Sequence, residues 1–250
     1  MGKSAIDRFM TVGRIRVWSV IVTIFGDAVL PRGGVAPSAA LSELTRAIGV
    51  KPEAFRVALS RLTRDGWIER SKEGRRSYYR LSAHGLTEFG HARRRIYARA
   101  PGTVECWQMT CTDGAGPDGH VEVAPRLWVG PRSYVNGALV MTGDLSLPDW
   151  ARAKMADKEV YAGYAVLARV LEDTLGTSAG GDMPGLQAAA TRTLAIHQWR
   201  RLVLRHGDWP AHVFPAGWQG EVCRARLHDM LQMLDPAAQN WFDANFQHPG

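Results

Sequence analysis

Three groupings in this 250-residue chain have residue types and spacings that could do chemistry. The first is Gly176-Thr177-Ser178-Ala179-Gly180, which matches the G-x-S-x-G pattern of a serine nucleophile held on a strained strand-to-helix turn above a sheet. Here Val160, Tyr164, Leu167 and Leu171 put a helical pattern before the serine, and Gly181-Asp182-Met183-Pro184-Gly185 follows it. The stretch therefore reads as a flexible interhelical loop, and a hydrolase using Ser178 is kept only as the alternative. The second grouping is the set of possible metal ligands. Cys106 and Cys111 are separated by four residues rather than the two of a zinc knuckle, Cys223 makes the count odd, and His197 and His206 lie nine apart. No catalytic centre, metal site, cofactor or disulfide framework is expected from them. The third is a set of cations. Residues 1–100 carry 19 Lys and Arg against 8 Asp and Glu, a surplus of +11, while the remainder carries 12 against 16, a deficit of −4. A surplus confined to one part of the chain is the footprint of a polyanion-binding module, because neutralising phosphates releases condensed counterions.

The composition fits a globular protein, with 46% hydrophobic and 22% charged residues. The longest uncharged apolar run, Val17 to Gly26, falls well short of the roughly 20 residues that span a bilayer. Asp7, Asp27 and the Pro31-Arg32-Gly33-Gly34 stretch argue against a signal peptide. A cytoplasmic protein with no membrane partner is expected.

The cations need a scaffold, and the first hundred residues spell one. Val17, Val20, Ile21, Ile24, Phe25 and Ala28 recur at helical spacing. Ser38 is placed to cap a second helix that buries Leu41, Leu44 and Ile48 and stops at Gly49. A third opens with Pro52, buries Phe55, Ala58, Leu59 and Leu62, and ends at Asp65-Gly66. Trp67 to Ser71 and Arg76 to Leu81 then form a hairpin around Lys72-Glu73-Gly74-Arg75, and Ser82 caps a fourth helix that runs toward Pro101. This order is a winged helix-turn-helix. At 100° per residue the third helix turns Glu53, Arg56, Val57, Ser60 and Arg64 outward. Glu53 and Arg56 are placed for base edges, Val57 for a thymine methyl, and Arg61 and Arg64 for phosphates. Arg75 and Arg76 at the hairpin tip, with Tyr78 behind them, are expected to follow the DNA backbone.

The run Ser19 to Gly34, containing Phe25-Gly26-Asp27-Ala28-Val29-Leu30-Pro31-Arg32, and Glu73-Gly74-Arg75-Arg76-Ser77-Tyr78-Tyr79-Arg80-Leu81 resemble the PaaX family of bacterial repressors of phenylacetate catabolism. The resemblance resumes at Ile196-His197-Gln198-Trp199-Arg200-Arg201 and Phe214-Pro215-Ala216-Gly217-Trp218-Gln219-Gly220. It implies a homodimeric transcriptional repressor that binds double-stranded operator DNA, controls a phenylacetate-like catabolic operon, and is released by an aryl-CoA thioester such as phenylacetyl-CoA. The middle departs from the family pattern. Glu105 to Thr112, Val121 to Val129 and Ala138 to Met141 read as strands, with only a turn-rich stretch between the first two. A regulator that binds DNA constitutively, without ligand response, is therefore the second alternative.

The expected fold is mainly α with small β elements. Residues 1–100 form the winged helix, 101–147 a shortened α+β or small-sheet middle unit, and 148–250 a helical C-terminal domain. A thioester site needs cations beside an aromatic pocket, and His197, Trp199, Arg200, Arg201, Trp209 and Trp218 supply both types. Two readings of these tryptophans stand side by side, a ligand wall and simple core filling.

Overall fold

The computed structural model describes residues 4–178 and 183–246. It is mainly helical, with two small antiparallel sheets. A short helix, α1 (Ala5–Met10), opens on a capping box between Ser4 and Asp7. Helix α2 (Val17–Ile24) follows, and its apolar pattern continues as a π-helical stretch, Phe25–Val29, and a 3-10 turn, Leu30–Arg32. The periodicity alone suggested one regular helix. The wider turn has a packing reason at Gly26, where a Cβ would lie 1.9 Å from the Phe89 ring, so only glycine lets the two elements approach.

Strand β1 (Val35–Pro37), too short to show a period, leads into α3 (Ser38–Ala47). Ser38 is not the cap expected of it; Pro37 holds the extended cap position and no side chain bonds the helix start. Helix α4 (Pro52–Arg64) has proline in its first turn, where the missing N–H costs nothing, and ends at Asp65. Strands β2 (Ile68–Glu73) and β3 (Arg76–Leu81) form the hairpin, with Glu73 facing Arg76 across a two-residue turn and Gly74 at φ +58°. β1 adds to the other side of β3, giving the order β1-β3-β2. Ser82 accepts from the Gly85 N–H at 3.1 Å and starts α5 (Ala83–Tyr97).

The second sheet contains β4 (Trp107–Cys111), β5 (Val121–Ala124), β6 (Leu127–Pro131) and β7 (Leu139–Gly143) in the order β5-β6-β4-β7. The expected single strand Val121 to Val129 is two, because the chain reverses at Pro125-Arg126 with Arg126 at φ +65°. No helix lies between β4 and β5, as the turn-rich sequence implied.

The last third holds α6 (Asp149–Arg152), α7 (Lys158–Ser178), α8 (Gly185–Val203) and α9 (Gly220–Asn245). Every residue of α8 from Ala188 to Trp199 is buried, including Thr191, Arg192, Thr193, His197 and Gln198. A helix enclosed on all sides has no polar stripe, which is why its apolar spacing is irregular in the sequence. It packs against α1, α2, α3 and α5 from the first hundred residues and against α7 and α9 from the last. One continuous apolar cluster consequently runs from Phe9 to Phe246. None of the described helices is long and apolar enough to cross a membrane.

Candidate nucleic-acid interface

Helix α4 projects one face outward because its other face is committed to the core. Phe55, Ala58, Leu59 and Leu62 are buried against α2 and α3, which leaves Glu53, Arg56, Val57, Ser60, Arg61 and Arg64 exposed. Val57 is 69% exposed, an apolar side chain held in water among polar neighbours. The exposed arginines make their ion pairs with surface carboxylates. Arg56 meets Glu53 at 3.3 Å, and Arg61 and Arg64 share Asp65 at 3.3 and 3.2 Å. Exposed pairs of this kind are worth at most about 1 kcal/mol each, so these cations are available to exchange partners.

The hairpin stands beside this face. A groove of about 580 Å³ lies between them, lined by Arg56, Ser60 and Arg64 from α4 and Arg70 and Ser77 from the hairpin. Arg70 donates to the Ser77 hydroxyl at 2.8 Å, which orients both groups along the groove. Arg75 and Arg76 are exposed at the tip. Tyr78 is only 3% exposed, which leaves little of its ring open for the DNA contact expected of it. Arg70 is a further cation on the groove, beyond those the sequence pattern assigns to DNA. It becomes distinct only once β2 pairs with β3 and brings position 70 over the groove.

The six residues expected to form one ligand wall are divided by the structure. Trp199 is buried and donates its ring N–H to the Ile96 carbonyl at 2.9 Å. Trp209 and Trp218 belong to a run of ring contacts, with Phe214 stacked on Trp218 at 4.1 Å and Trp209 edge-on to Trp107 at 5.9 Å. Trp107, Trp209 and Phe214 belong to the core, and Trp218 packs half-buried against it. Arg200 donates to the hydroxyl and carbonyl of Ser19. Of the six, His197 and Arg201 line one cavity together, a cleft between α4 and α8 whose lining includes none of the three tryptophans. The serine motif fails as a nucleophile elbow, since Gly176 to Ser178 are the last turn of α7 rather than a strand-to-helix turn. They are helical instead of the loop expected there; Ala179 to Asp182 lie outside the described residues.

The helices carrying this surface are tied to the rest of the chain by a buried charge. Asp27, in the π-helical stretch, accepts from Arg192 Nε and Nη2 at 2.7 and 2.9 Å and from the Tyr97 hydroxyl at 3.1 Å. Arg192 also bonds Asp235 of α9. Burial opposes the Arg192 charge, but its hydrogen bonds to Asp27 outweigh that and hold the guanidinium above its ordinary pKa. Burial, and then the Asp27 charge beside it, pushes the Tyr97 phenol well above its usual range, keeping it a donor. The sequence does carry a signal for this network, because a lone aspartate in an apolar helical run demands a buried partner.

Two family models match the chain, the PaaX-like protein model over residues 16–85 and the PaaX-like protein C-terminal domain model over residues 156–244. The matches cover α2 to β3 and nearly all of α7 to α9, and the chain belongs to the PaaX-like family. It is 26% identical to the transcriptional repressor PaaX of Escherichia coli strain K12, across 88% of this chain and 81% of that one. Its fold is similar to that of the uncharacterized protein Rv0674 from Mycobacterium tuberculosis, with a TM-score of 0.51, 20% identity, and coverage of 88% and 97% of the two chains.

Proposed function

We propose that this protein is a transcriptional repressor of the PaaX type, not an enzyme, and that residues 1–100 act as a winged helix-turn-helix with α4 in the major groove. The observation that carries the reading is the outward face of α4, where Arg56, Val57, Ser60 and Arg64 stand exposed beside a groove that Arg70 of the hairpin also lines. Arg56 and Glu53 read base edges, Val57 meets a thymine methyl, and Arg61 and Arg64 grip phosphates. Arg75 and Arg76 at the tip add affinity without sequence information. The kinship with the Escherichia coli repressor supports this reading, as does the basic surplus of the first hundred residues.

One such unit reads a short site, so the protein acts as a homodimer on inverted half-sites about one helical turn, or a multiple of it, apart. Its target is an operon for an aromatic acid such as phenylacetate, and an aryl-CoA thioester releases it. Release requires that the thioester prefer the DNA-incompetent state, by about 1.4 kcal/mol for each tenfold loss of operator affinity. The test is fluorescence anisotropy with DNA from upstream of the gene, over a salt series, with and without phenylacetyl-CoA. Specific binding with a steep negative salt slope, weakened by the thioester, is expected. Equal affinity for operator and unrelated DNA would overturn the reading.

A further inference from the structure

The cavity that His197 and Arg201 share lies against the opposite flank of α4 from the hairpin groove, and measures about 1010 Å³. That is the upper size of a small-molecule site. Its walls are of two kinds. Arg14, Arg16, Arg61, Arg201 and Arg205 face it with a single carboxylate, Glu159, among its lining residues. Arg14 and Arg16 have exposed side chains with no hydrogen bond or ion pair to any described residue. Apart from Ser19 and His197 the rest of the lining is apolar, with Ile15 and Trp18 on one side and Ala54 and Val57 of α4 on the other. Arg61 lies over the Trp18 ring at 6.0 Å, so the two kinds of wall meet there.

The floor holds an unpaired polar atom. His197 is 2% exposed, yet its Nε2 has no hydrogen-bond partner. Its Nδ1 lies 3.4 Å from the Thr23 hydroxyl, and that hydroxyl already donates to the Ser19 carbonyl at 3.0 Å. Nδ1 therefore carries the ring proton and Nε2 is a bare acceptor. Burial, with the charges of Arg200 and Arg201 added, pushes the imidazole down to about 3, so it is neutral at physiological pH. A buried acceptor without a donor is uncommon in a finished core and normally finds a partner.

We infer that this cleft is the effector site, taking a small molecule that bears phosphate groups at one end, an apolar or aromatic body at the other, and an N–H or O–H donor that reaches His197. The inference rests on the reading of the protein as a ligand-released repressor and says where release begins. The arginines hold the phosphates, Trp18 and Val57 hold the apolar body, and the donor completes Nε2. Because Val57 and Arg61 belong to α4, a bound molecule occupies side chains that would otherwise meet DNA.

Isothermal titration of the full chain with phenylacetyl-CoA, coenzyme A and pyrophosphate tests this. Two variants are compared with wild type. Arg14→Ala combined with Arg16→Ala removes cations that hold nothing in place, and Ala54→Trp fills the apolar side without changing charge. Unchanged circular dichroism and thermal midpoints would show both to be folded. The expected result is saturable thioester binding by wild type, tighter than for coenzyme A or pyrophosphate, and a loss of at least tenfold in each variant. Thioester affinity unchanged in both variants would overturn the site, while continued operator release by the thioester would leave the repressor reading intact. If the arginine variant lost DNA affinity and kept thioester affinity, the arginines would serve the DNA backbone and the site would be overturned. Failure of wild type to bind any of the three probes would overturn it as well. Binding that follows the expected pattern but leaves operator affinity unchanged would overturn the cleft's role as the effector site, and ligand release with it.

Discussion

Arginine plays opposite parts on α4 and on α8. On α4, Arg56, Arg61 and Arg64 have side chains 58 to 76% exposed, each leaning on a neighbouring surface carboxylate. On α8, the Arg192 side chain is 8% exposed and bonded to Asp27, which is itself 4% exposed. An exposed pair gains little because water screens it and two long side chains must be ordered. A buried pair has already lost its hydration, so removing either partner strands a charge in a medium that cannot solvate it. Cations on α4 are therefore free to serve a partner, and Arg192 is spent on the fold.

The largest effect should come from breaking the buried pair. Arg192→Ala is expected to destabilise the protein by about 3 to 5 kcal/mol in denaturant unfolding. Replacing Arg192 and Asp27 together with leucine should recover most of that loss, because no buried charge is left unpaired and Asp235, the other partner of Arg192, is 44% exposed and open to water. A cost below about 1 kcal/mol for the single substitution would end the contrast.

The pH dependence of stability sharpens it next. His197 has its folded pKa lowered to about 3 from 6.5, chiefly by burial. Between those values the unfolded chain binds a proton that the folded one refuses, so stability is full above 6.5 and falls as pH falls toward 3. At pH 5 this contributes about 2 kcal/mol of destabilisation, at about 1.4 kcal/mol per pH unit. His206, lowered to about 4 mainly by burial, adds in the same direction. His197→Asn should flatten the His197 part of the slope in denaturation curves taken between pH 7 and pH 4, and an unaltered slope would show that this ring already titrates normally.

On the exposed side, Arg56→Ala should cost about 1 to 3 kcal/mol of operator affinity and relax base preference at one position. Unchanged operator selection would mean that α4 does not face the bases as proposed. Removing Arg75 and Arg76 together should weaken binding to all DNA alike and flatten the salt slope by roughly 0.9 per lost phosphate contact. The smallest effect belongs to Arg64→Ala, expected to change folding stability by no more than about 0.5 kcal/mol in the same unfolding assay.

Much of the exposed face of α4 and of the hairpin was legible in the sequence because it is built from local signals. Pro52 marks the start of α4, the 3.6-residue period fixes which residues turn outward, and Gly74 marks the hairpin turn. β1 escaped because three residues show no period, and its pairing with β3 is a contact across more than 40 positions. The ligand residues were misplaced for a related reason. His197 to Arg201 are adjacent in sequence, but on an enclosed helix successive residues point to different neighbours, sending Trp199 toward Ile96, Arg200 toward Ser19 and Arg201 toward Val12.

By itself the sequence determined the helical segments with a clear apolar stripe, the hairpin, the confinement of positive charge to the first hundred residues, and the absence of a helix in the middle sheet. Each of these follows from short-range periodicity, turn chemistry or composition. Only the tertiary structure decided which arginines are buried and which are exposed, that α8 is enclosed by both ends of the chain, and that Arg14, Trp18, Val57 and His197 line one cleft. Those outcomes depend on which surfaces meet, and burial converts the same guanidinium from a solvated charge into a structural bond.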